Sequence, residues 1–300
     1  MAANKVRAAQ WAAEKLPLVS RRKWPFTDLR PAQPRQPLIV SNEPKASVQP
    51  VPITEQGIMG NMTEELFRDD ATLLHCQATV TAVTDTGIEL DRTVFYPQGG
   101  GQAGDTGRLR RADGAELTIT DTRKGAAPGQ ILHCVAPDAD LSGWAAGQAV
   151  TAEIDAARRL AHRRFHTATH LLCALVPHPV DGCSITAGYA RLDFHMTDPL
   201  DKDALSAGIA RLVAGAHAVT QRWISDTELD VNPGLVRSMS VQPPRGQGRV
   251  RLIDIAGVDL QPCGGTHVAN TAEIGAVVVT KIEKKSARTR RVVLGFGGVA

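Results

Sequence analysis

The sequence predicts an α+β protein in which a small antiparallel β-barrel-like domain is followed by a two-layer α+β domain. Two observations predict this fold. Residues 74–153 contain short alternating or β-branched segments that are separated by turn residues, a pattern typical of antiparallel strands. From residue 153 onward the apolar residues recur every three or four positions, which indicates amphipathic helices that cover a sheet.

The first 61 residues are predicted to be a disordered extension. Six prolines between residues 31 and 52 interrupt any regular element. This segment carries nine Lys and Arg against four Asp and Glu, whereas the remaining residues carry 25 against 27. The net charge of +3 therefore comes from the extension. Any nucleic-acid contact of the folded part must come from local basic clusters.

Residues 62–153 are predicted to form the β domain, as a small barrel or sandwich. Its clearest strands are residues 77–83, 117–122 and 131–135, each bounded by turn residues. An amphipathic helix then runs from about residue 154 to residue 175, and the prolines that follow end it.

Residues 154–300 are predicted to form the α+β domain, in which helices cover an antiparallel sheet. After the first helix we expect a polar turn at residues 182–186, a strand at 191–195, a helix at 202–221, strands near 223–228, 249–255 and 274–282, and a final hairpin that joins residues 277–282 to 291–296.

Four side chains in this second domain are expected to bind one metal ion. His166 and His170 lie four residues apart on the predicted helix, and therefore on one face. Cys263 and His267 flank Gly-Gly-Thr, whose glycines allow the backbone to bend so that both side chains reach one centre. Imidazole nitrogens and a thiolate suit tetrahedral zinc. The sequence thus predicts a Zn²⁺ cofactor.

Two neighbouring residues on the helix limit this interpretation. His162 lies two turns from His170, too far for both to bind one ion easily. It is therefore expected to contact the ligands, to face a bound nucleic acid, or to lie on the surface. Thr167 occupies the position at which a zinc-protease helix carries its glutamate base. The motif is therefore not that of a metalloprotease.

The motifs together resemble those of the AlaX proteins, which are free-standing relatives of the editing domain of alanyl-tRNA synthetase. The resemblance rests on His-Thr-Ala-Thr-His at 166–170, Cys-Gly-Gly-Thr-His at 263–267, Asn-Thr-Ala-Glu-Ile-Gly at 270–275, and Tyr-Pro-Gln-Gly-Gly-Gly-Gln at 96–102. It covers residues 62–296. A glycine-rich motif in a leading β domain is similar to the medium-length class of the family.

The resemblance implies a cytoplasmic, zinc-dependent aminoacyl-tRNA hydrolase that acts in trans on tRNA(Ala) wrongly charged with serine, with glycine as a second candidate amino acid. This task is chemically sensible because an alanine pocket rejects an added hydroxyl only about 10²-fold. A second site that hydrogen-bonds the hydroxyl can spare alanine. Neither a membrane segment nor an obligate protein partner is expected.

The resemblance also implies site residues. Candidates for reading the serine hydroxyl are Thr169, Ser184 and Thr186. The glycine-rich motif, Gly99, Gly100, Gly101 and Gln102, is expected to present backbone N–H groups and one amide to the tRNA end or the ester. No general base is assigned, because zinc could polarise the ester, activate water, or only shape the pocket.

Basic residues on the first helix and the final hairpin are candidates for phosphate contacts. They are Arg158, Arg159, Arg163, Arg164, Lys284, Lys285 and Arg290. Two other functions stay open at this point. One is a related aminoacyl-tRNA deacylase with another substrate, and the other is a non-catalytic, zinc-stabilised RNA-binding module.

Overall fold

The structure is a computed structural model that describes residues 62–236 and 249–298. These residues belong to one compact unit that begins at Met59. The predicted disordered extension, residues 1–61, lies outside the described residues.

The first part of the described chain is built almost entirely of strands. Seven of them pair antiparallel in the order β6-β5-β9-β2-β3-β8-β7, while β1 and β4 form a short parallel pair. A single turn of 3₁₀ helix, Leu66–Arg68, follows β1. The strands are β1 Glu64–Glu65, β2 His75–Thr84, β3 Gly87–Leu90, β4 Arg92–Thr93, β5 Gly107–Arg111, β6 Glu116–Ile119, β7 Asp121–Lys124, β8 Ile131–Cys134 and β9 Ala149–Ile154.

Alternate residues of these strands form a core of their own. Leu117 and Ile119 of β6 are buried together with Val150 and Ala152 of β9, and polar residues stand between them. One residue, Thr120, connects the end strands β6 and β7. The paired strands described here form an open sheet with β6 and β7 at its ends. Closure into a barrel therefore stays a prediction.

The helix α1, Ala156–Leu175, carries the predicted histidines. Asp155 is its N-cap, and its side chain accepts a hydrogen bond from the Arg158 amide. The helix ends at Leu175, because Pro177 cannot continue it. The predicted helix at residues 154–175 is confirmed.

The rest of the described chain places helices against two further sheets. One sheet has four strands in the order β10-β11-β16-β15, and the other has three in the order β12-β13-β14. The elements are β10 Val180–Ile185, β11 Ala190–His195, α2 Lys202–Ala214, β12 Val219–Ile224, α3 Asp226–Asp230, β13 Val250–Ile255, β14 Asp259–Pro262, β15 Val277–Ser286 and β16 Thr289–Phe296, with 3₁₀ turns at Pro233–Leu235 and Thr271–Ile274.

Helices and the four-stranded sheet share one hydrophobic core. Phe165 and Leu172 of α1 and Ile209 of α2 are buried with Leu192 of β11 and Val292 of β16. The predicted α+β class, with helices covering an antiparallel sheet, is confirmed. Among the described helices none is long and apolar enough to cross a membrane.

Several predicted elements differ from the structure. The predicted polar turn at 182–186 is mostly strand β10, because its backbone pairs with β11. The second helix ends at Ala214 rather than residue 221, because the chain turns at Gly215 and then enters β12 to pair with β13. The predicted strand at 223–228 stops at Ile224, since Ser225 and Glu228 form a capping box that starts a helix.

A buried ion pair joins the two parts of the described chain. Arg159 of α1 donates from Nε to the carboxylate of Asp105, at 3.0 Å, and both side chains are about 1% exposed. The same carboxylate accepts from the Tyr96 amide at 2.7 Å. The segment of residues 96–105, which contains the glycine-rich motif, is therefore fixed against the histidine helix.

Candidate metal centre and substrate cavity

The structure brings the four predicted metal ligands together. One nitrogen each from His166, His170 and His267 and the sulfur of Cys263 all lie within 4.8 Å of one another. Sγ of Cys263 is 3.3 Å from Nε2 of His166 and 3.2 Å from Nε2 of His267. Because α1 is helical between residues 166 and 170, both of its histidines face the loop that carries the other two residues.

Gln102 fixes the orientation of the His166 ring. Nδ1 of His166 donates to Oε1 of Gln102 at 2.7 Å. The same oxygen accepts from the Thr266 amide at 3.1 Å, and the Gln102 side-chain nitrogen donates to the Thr266 hydroxyl at 3.0 Å. Gln102 is completely buried. Nε2 of His166 is thereby left as the nitrogen that faces Cys263.

The other two imidazoles are fixed in the same way. Nδ1 of His170 lies 2.9 Å from Oδ2 of Asp259, which is also buried. Nδ1 of His267 lies 3.1 Å from the Thr167 hydroxyl, whose own hydrogen is donated to a backbone carbonyl of α1. Each ring therefore has its Nδ1 engaged and its Nε2 available, an arrangement usual for metal-binding histidines.

The Gly-Gly turn after Cys263 allows the loop to approach α1 closely. A Cβ on Gly265 would lie 2.0 Å from Cε1 of His166, so a side chain cannot be accommodated there. Arg251 supports the turn, because its Nη1 donates to the Gly265 carbonyl at 2.7 Å and to that of Cys263 at 3.3 Å.

The electrostatics of the cluster favour a cation. Burial alone would raise the pKa of the Cys263 thiol, but the charges of His166 and His267 hold that pKa well below its usual value. Burial lowers the pKa of His267 well below its usual value. Burial opposes protonation of His170 as well, yet Asp259 and the thiolate raise its pKa to about 9. A thiolate beside three oriented imidazoles is a donor set that fits zinc.

A cavity of about 210 Å³ opens beside these four residues. Apolar side chains and two hydroxyl-bearing residues, Thr169 and Tyr96, form part of its wall, together with Cys173, Val180, Cys183 and Leu192. Three charged residues, Glu65, Arg68 and Lys124, also line it. The cavity has room for a small ligand next to the four candidate metal ligands.

The glycine-rich motif forms one side of this cavity. Gly99 and Gln102 exchange two backbone hydrogen bonds, and Gly100 and Gly101 between them have φ of 57° and 87°. Gly99 and Gly100 line the cavity, whereas a Cβ on Gly101 would lie 2.7 Å from Sγ of Cys183. The turn is thus packed against β10, where Gln102 forms a bridge to Ile185.

The three candidate hydroxyl readers lie in different places. The Thr169 hydroxyl is buried, donates to the His166 carbonyl at 2.7 Å, and lines the cavity. Ser184 lies on β10 and is not among the cavity-lining residues. Thr186 is also absent from the wall, because its hydroxyl is used in the β10–β11 turn with Gly188 and Tyr189.

Comparison with known proteins places this geometry in a family. A family model described as the second additional domain of threonyl- and alanyl-tRNA synthetases matches residues 250–293. A model of class II (A) tRNA synthetases matches residues 63–158. The chain is 36% identical to the alanyl-tRNA editing protein AlaX-M of Methanosarcina barkeri over 77% of this chain and 97% of that protein. This chain belongs to the AlaX-M family of alanyl-tRNA editing proteins.

More distant relatives agree with this assignment. The AlaX-M protein of Saccharolobus solfataricus is 32% identical over 77% of this chain and 98% of its own length. An alanine–tRNA ligase of Methanothermobacter thermautotrophicus is 31% identical over 79% of this chain but only 27% of the ligase. This chain thus corresponds to one portion of the larger ligase.

Three of the arginines predicted to contact tRNA are buried in the structure, so that prediction needs correction. Arg159 is 1% exposed and paired with Asp105. Arg163 is 9% exposed and donates to the His267 carbonyl at 2.8 Å. Arg290 is also 9% exposed and donates to backbone carbonyls of its own hairpin. These side chains stabilise the fold and the metal loop.

The remaining basic candidates are accessible to different degrees. Arg158 and Arg164 are partly buried, and each donates to a backbone carbonyl. Lys284 and Lys285 on β15 are exposed.

The position of His162 narrows the three alternatives that the sequence left open for it. It is fully buried, and its Nδ1 lies 3.7 Å from Oδ1 of Asp105. It is therefore neither a surface residue nor one that faces tRNA. The helix places it one turn before His166, at the buried junction between the two parts of the described chain.

Sequence reasoning missed the residues that orient the ligands. Asp259 lies four residues before Cys263, in Asp-Leu-Gln-Pro-Cys, and this spacing on one short strand was a usable signal. Thr266 lies within the Cys-Gly-Gly-Thr-His motif, but its contact with Gln102 depends on the tertiary fold. Nothing in the local sequence marks Arg251.

Proposed function

We propose that this protein is a zinc-dependent hydrolase that removes serine from mischarged tRNA(Ala). The single observation that carries the proposal is the convergence of His166, His170, Cys263 and His267 at the edge of a small cavity in an AlaX-M chain. The reaction is the hydrolysis of the ester that links an amino acid to the 3′ end of the tRNA. Glycine is a second candidate amino acid.

The four residues would hold zinc. Their donor set is one thiolate and three imidazoles, and each imidazole has its second nitrogen engaged by a neighbouring side chain. When bound, zinc polarises a carbonyl oxygen or lowers the pKa of a water molecule to about 7. The protein contributes a buried and pre-oriented set of ligands beside the cavity.

Selection of serine over alanine is assigned to Thr169. Its hydrogen is donated to the His166 carbonyl, so its oxygen can only accept from a ligand. The serine hydroxyl would donate to this oxygen in the cavity wall. Bound alanine would leave the buried hydroxyl oxygen without a ligand donor, which weakens its binding.

The two parts of the described chain are proposed to act as two domains. Residues 62–153 would form the barrel-like domain, and residues 154–300 the editing domain. Gln102 from the first domain contacts His166 in the second, at 2.7 Å, which supports a site that needs both. Exposed Lys284 and Lys285 are proposed to contact tRNA phosphates, because each neutralised phosphate adds affinity.

A panel of mischarged tRNAs tests this function. The zinc-loaded protein is incubated with tRNA(Ala) carrying serine, glycine or alanine, and with tRNA(Thr) carrying serine, and release of each amino acid is measured. Rapid release of serine from tRNA(Ala) alone supports the proposal. Faster release from tRNA(Thr) supports a related deacylase. Binding of all four tRNAs without release supports a non-catalytic RNA-binding module.

A further inference from the structure

Two hydrophobic clusters pack against opposite faces of the small sheet β12-β13-β14. Ile224, Val250 and Leu252 lie on the face that packs against Leu229 and Leu235. Because side chains alternate along a strand, Trp223 lies on the other face. Trp223 pairs in register with Arg251, and its side chain is 36% exposed. Burial in a core therefore does not explain this tryptophan.

An arginine covers the ring of this tryptophan. The guanidinium carbon of Arg249 lies 4.3 Å from the Trp223 ring centroid, within the range of a cation–π contact. A stacked arginine and tryptophan offer two flat surfaces with a positive charge. This combination suits a nucleobase and its phosphate.

The Trp223–Arg249 pair lines a second cavity of about 270 Å³. This cavity adjoins the one beside the metal ligands, because both have Glu65, Arg68, Cys263 and Gly264 in their walls. A ligand whose end occupies the first cavity can therefore extend into the second.

Among the described residues that line the second cavity, Arg249 is the positive group available to an anion. Glu64 is paired with Arg92 at 3.2 Å, and Glu65 is paired with Arg68. Asp69 is the remaining carboxylate among the lining residues that the structure describes. Arg249 is exposed, and its guanidinium is held in place by the Trp223 ring.

We propose that the second cavity binds the unpaired nucleotides at the 3′ end of tRNA, with one base stacked on Trp223 and Arg249. This inference rests on the proposed function, because an amino acid in the first cavity is attached to the last ribose of the RNA. The nucleotides before it must leave along an adjoining surface. Stacking on an aromatic side chain is tolerant of sequence, so it suits an end shared by different substrates.

The test measures binding of uncharged RNA by full-length protein. One probe is an RNA hairpin with a four-nucleotide single-stranded 3′ tail, and the other is the same hairpin with a blunt end. Trp223→Ala is expected to raise Kd for the tailed hairpin roughly 5- to 100-fold, as loss of one base stack predicts. Trp223→Phe retains a ring and is expected to bind nearly as tightly as wild type.

Tyr189→Ala is a matched control, since Tyr189 is an aromatic residue 42% exposed on the β10–β11 turn and lines neither cavity. It should leave both Kd values unchanged. A Kd within twofold of wild type for Trp223→Ala on the tailed hairpin would overturn the proposal. An equal loss on tailed and blunt hairpins would also overturn it, because the tail would then not be what Trp223 contacts. The Kd values for both hairpins are measured without hydrolysis, so failure of the deacylation assay is a separate result.

Discussion

The side-chain oxygen of Gln102 lies 2.7 Å from Nδ1 of His166, although 64 residues separate them in the sequence. Gln102 belongs to the glycine-rich turn, and His166 to the helix that carries the predicted metal ligands. One hydrogen bond therefore connects the first part of the chain to the candidate metal centre. It also determines which nitrogen of His166 faces Cys263.

Gln102→Leu removes the acceptor for His166 Nδ1 and should lower zinc affinity about 10- to 100-fold, as is typical for loss of a group that orients a metal ligand. Competition with a chromophoric chelator measures the affinity. Gln98→Leu is a matched control, because Gln98 is exposed and lies in the same motif. Equal zinc affinity in wild type and Gln102→Leu would show that this hydrogen bond does not orient the ligand.

Gly265→Ala should abolish stoichiometric zinc binding. The new Cβ would lie 2.0 Å from Cε1 of His166 and 2.3 Å from its Nδ1, so the ring or the loop must move. Metal analysis after dialysis checks this expectation. Gly188→Ala is the control, since nothing lies within 4 Å of the Cβ position there. A Gly265→Ala protein that retains one zinc would contradict the described approach of the loop to α1.

Arg159→Met should destabilise the protein by about 3–5 kcal/mol, because it leaves Asp105 buried without its positive partner. Urea unfolding gives the free energy of unfolding. Arg123→Met removes an arginine whose ion pair with Asp121 is solvent-exposed, and it should unfold like wild type. If both variants lose the same free energy of unfolding, the buried pair of Arg159 and Asp105 does not stabilise the protein more than the pair of Arg123 and Asp121 does.

Thr169→Val should lower kcat/KM for serine release roughly 10-fold or more, because the serine hydroxyl loses a buried acceptor. Thr169→Ser retains the hydroxyl and should keep most activity. Thr186→Val changes a half-buried residue that is absent from the cavity wall and should leave kcat/KM within twofold. A loss in Thr186→Val that exceeds the loss in Thr169→Val would transfer the recognition role to the β10–β11 turn.

The fold class and the convergence of the four candidate metal ligands could be predicted because their signals are local or are carried by motifs. The histidine helix has a clear apolar period, an Asp155 cap and a proline stop. The spacing of His166 and His170 places both on one helix face whatever the rest of the chain does.

The predictions that differ from the structure have a common cause, which is tertiary context. Gly182–Thr186 is rich in turn residues, yet pairing with β11 makes most of it a strand. Arg159, Arg163 and Arg290 belong to basic clusters in the sequence, but buried carbonyls and Asp105 take up their donors. No spacing rule distinguishes an arginine that faces solvent from one that supports a loop.

The rate at which zinc-loaded protein releases serine and alanine from tRNA(Ala) tests the central claim most directly. The account predicts that serine is released rapidly and alanine is spared, and that Cys263→Ala loses both zinc and serine release. Cys76→Ala, which changes a cysteine outside the candidate centre, should retain both. Serine that stays attached while zinc is verifiably bound to wild type would contradict the account.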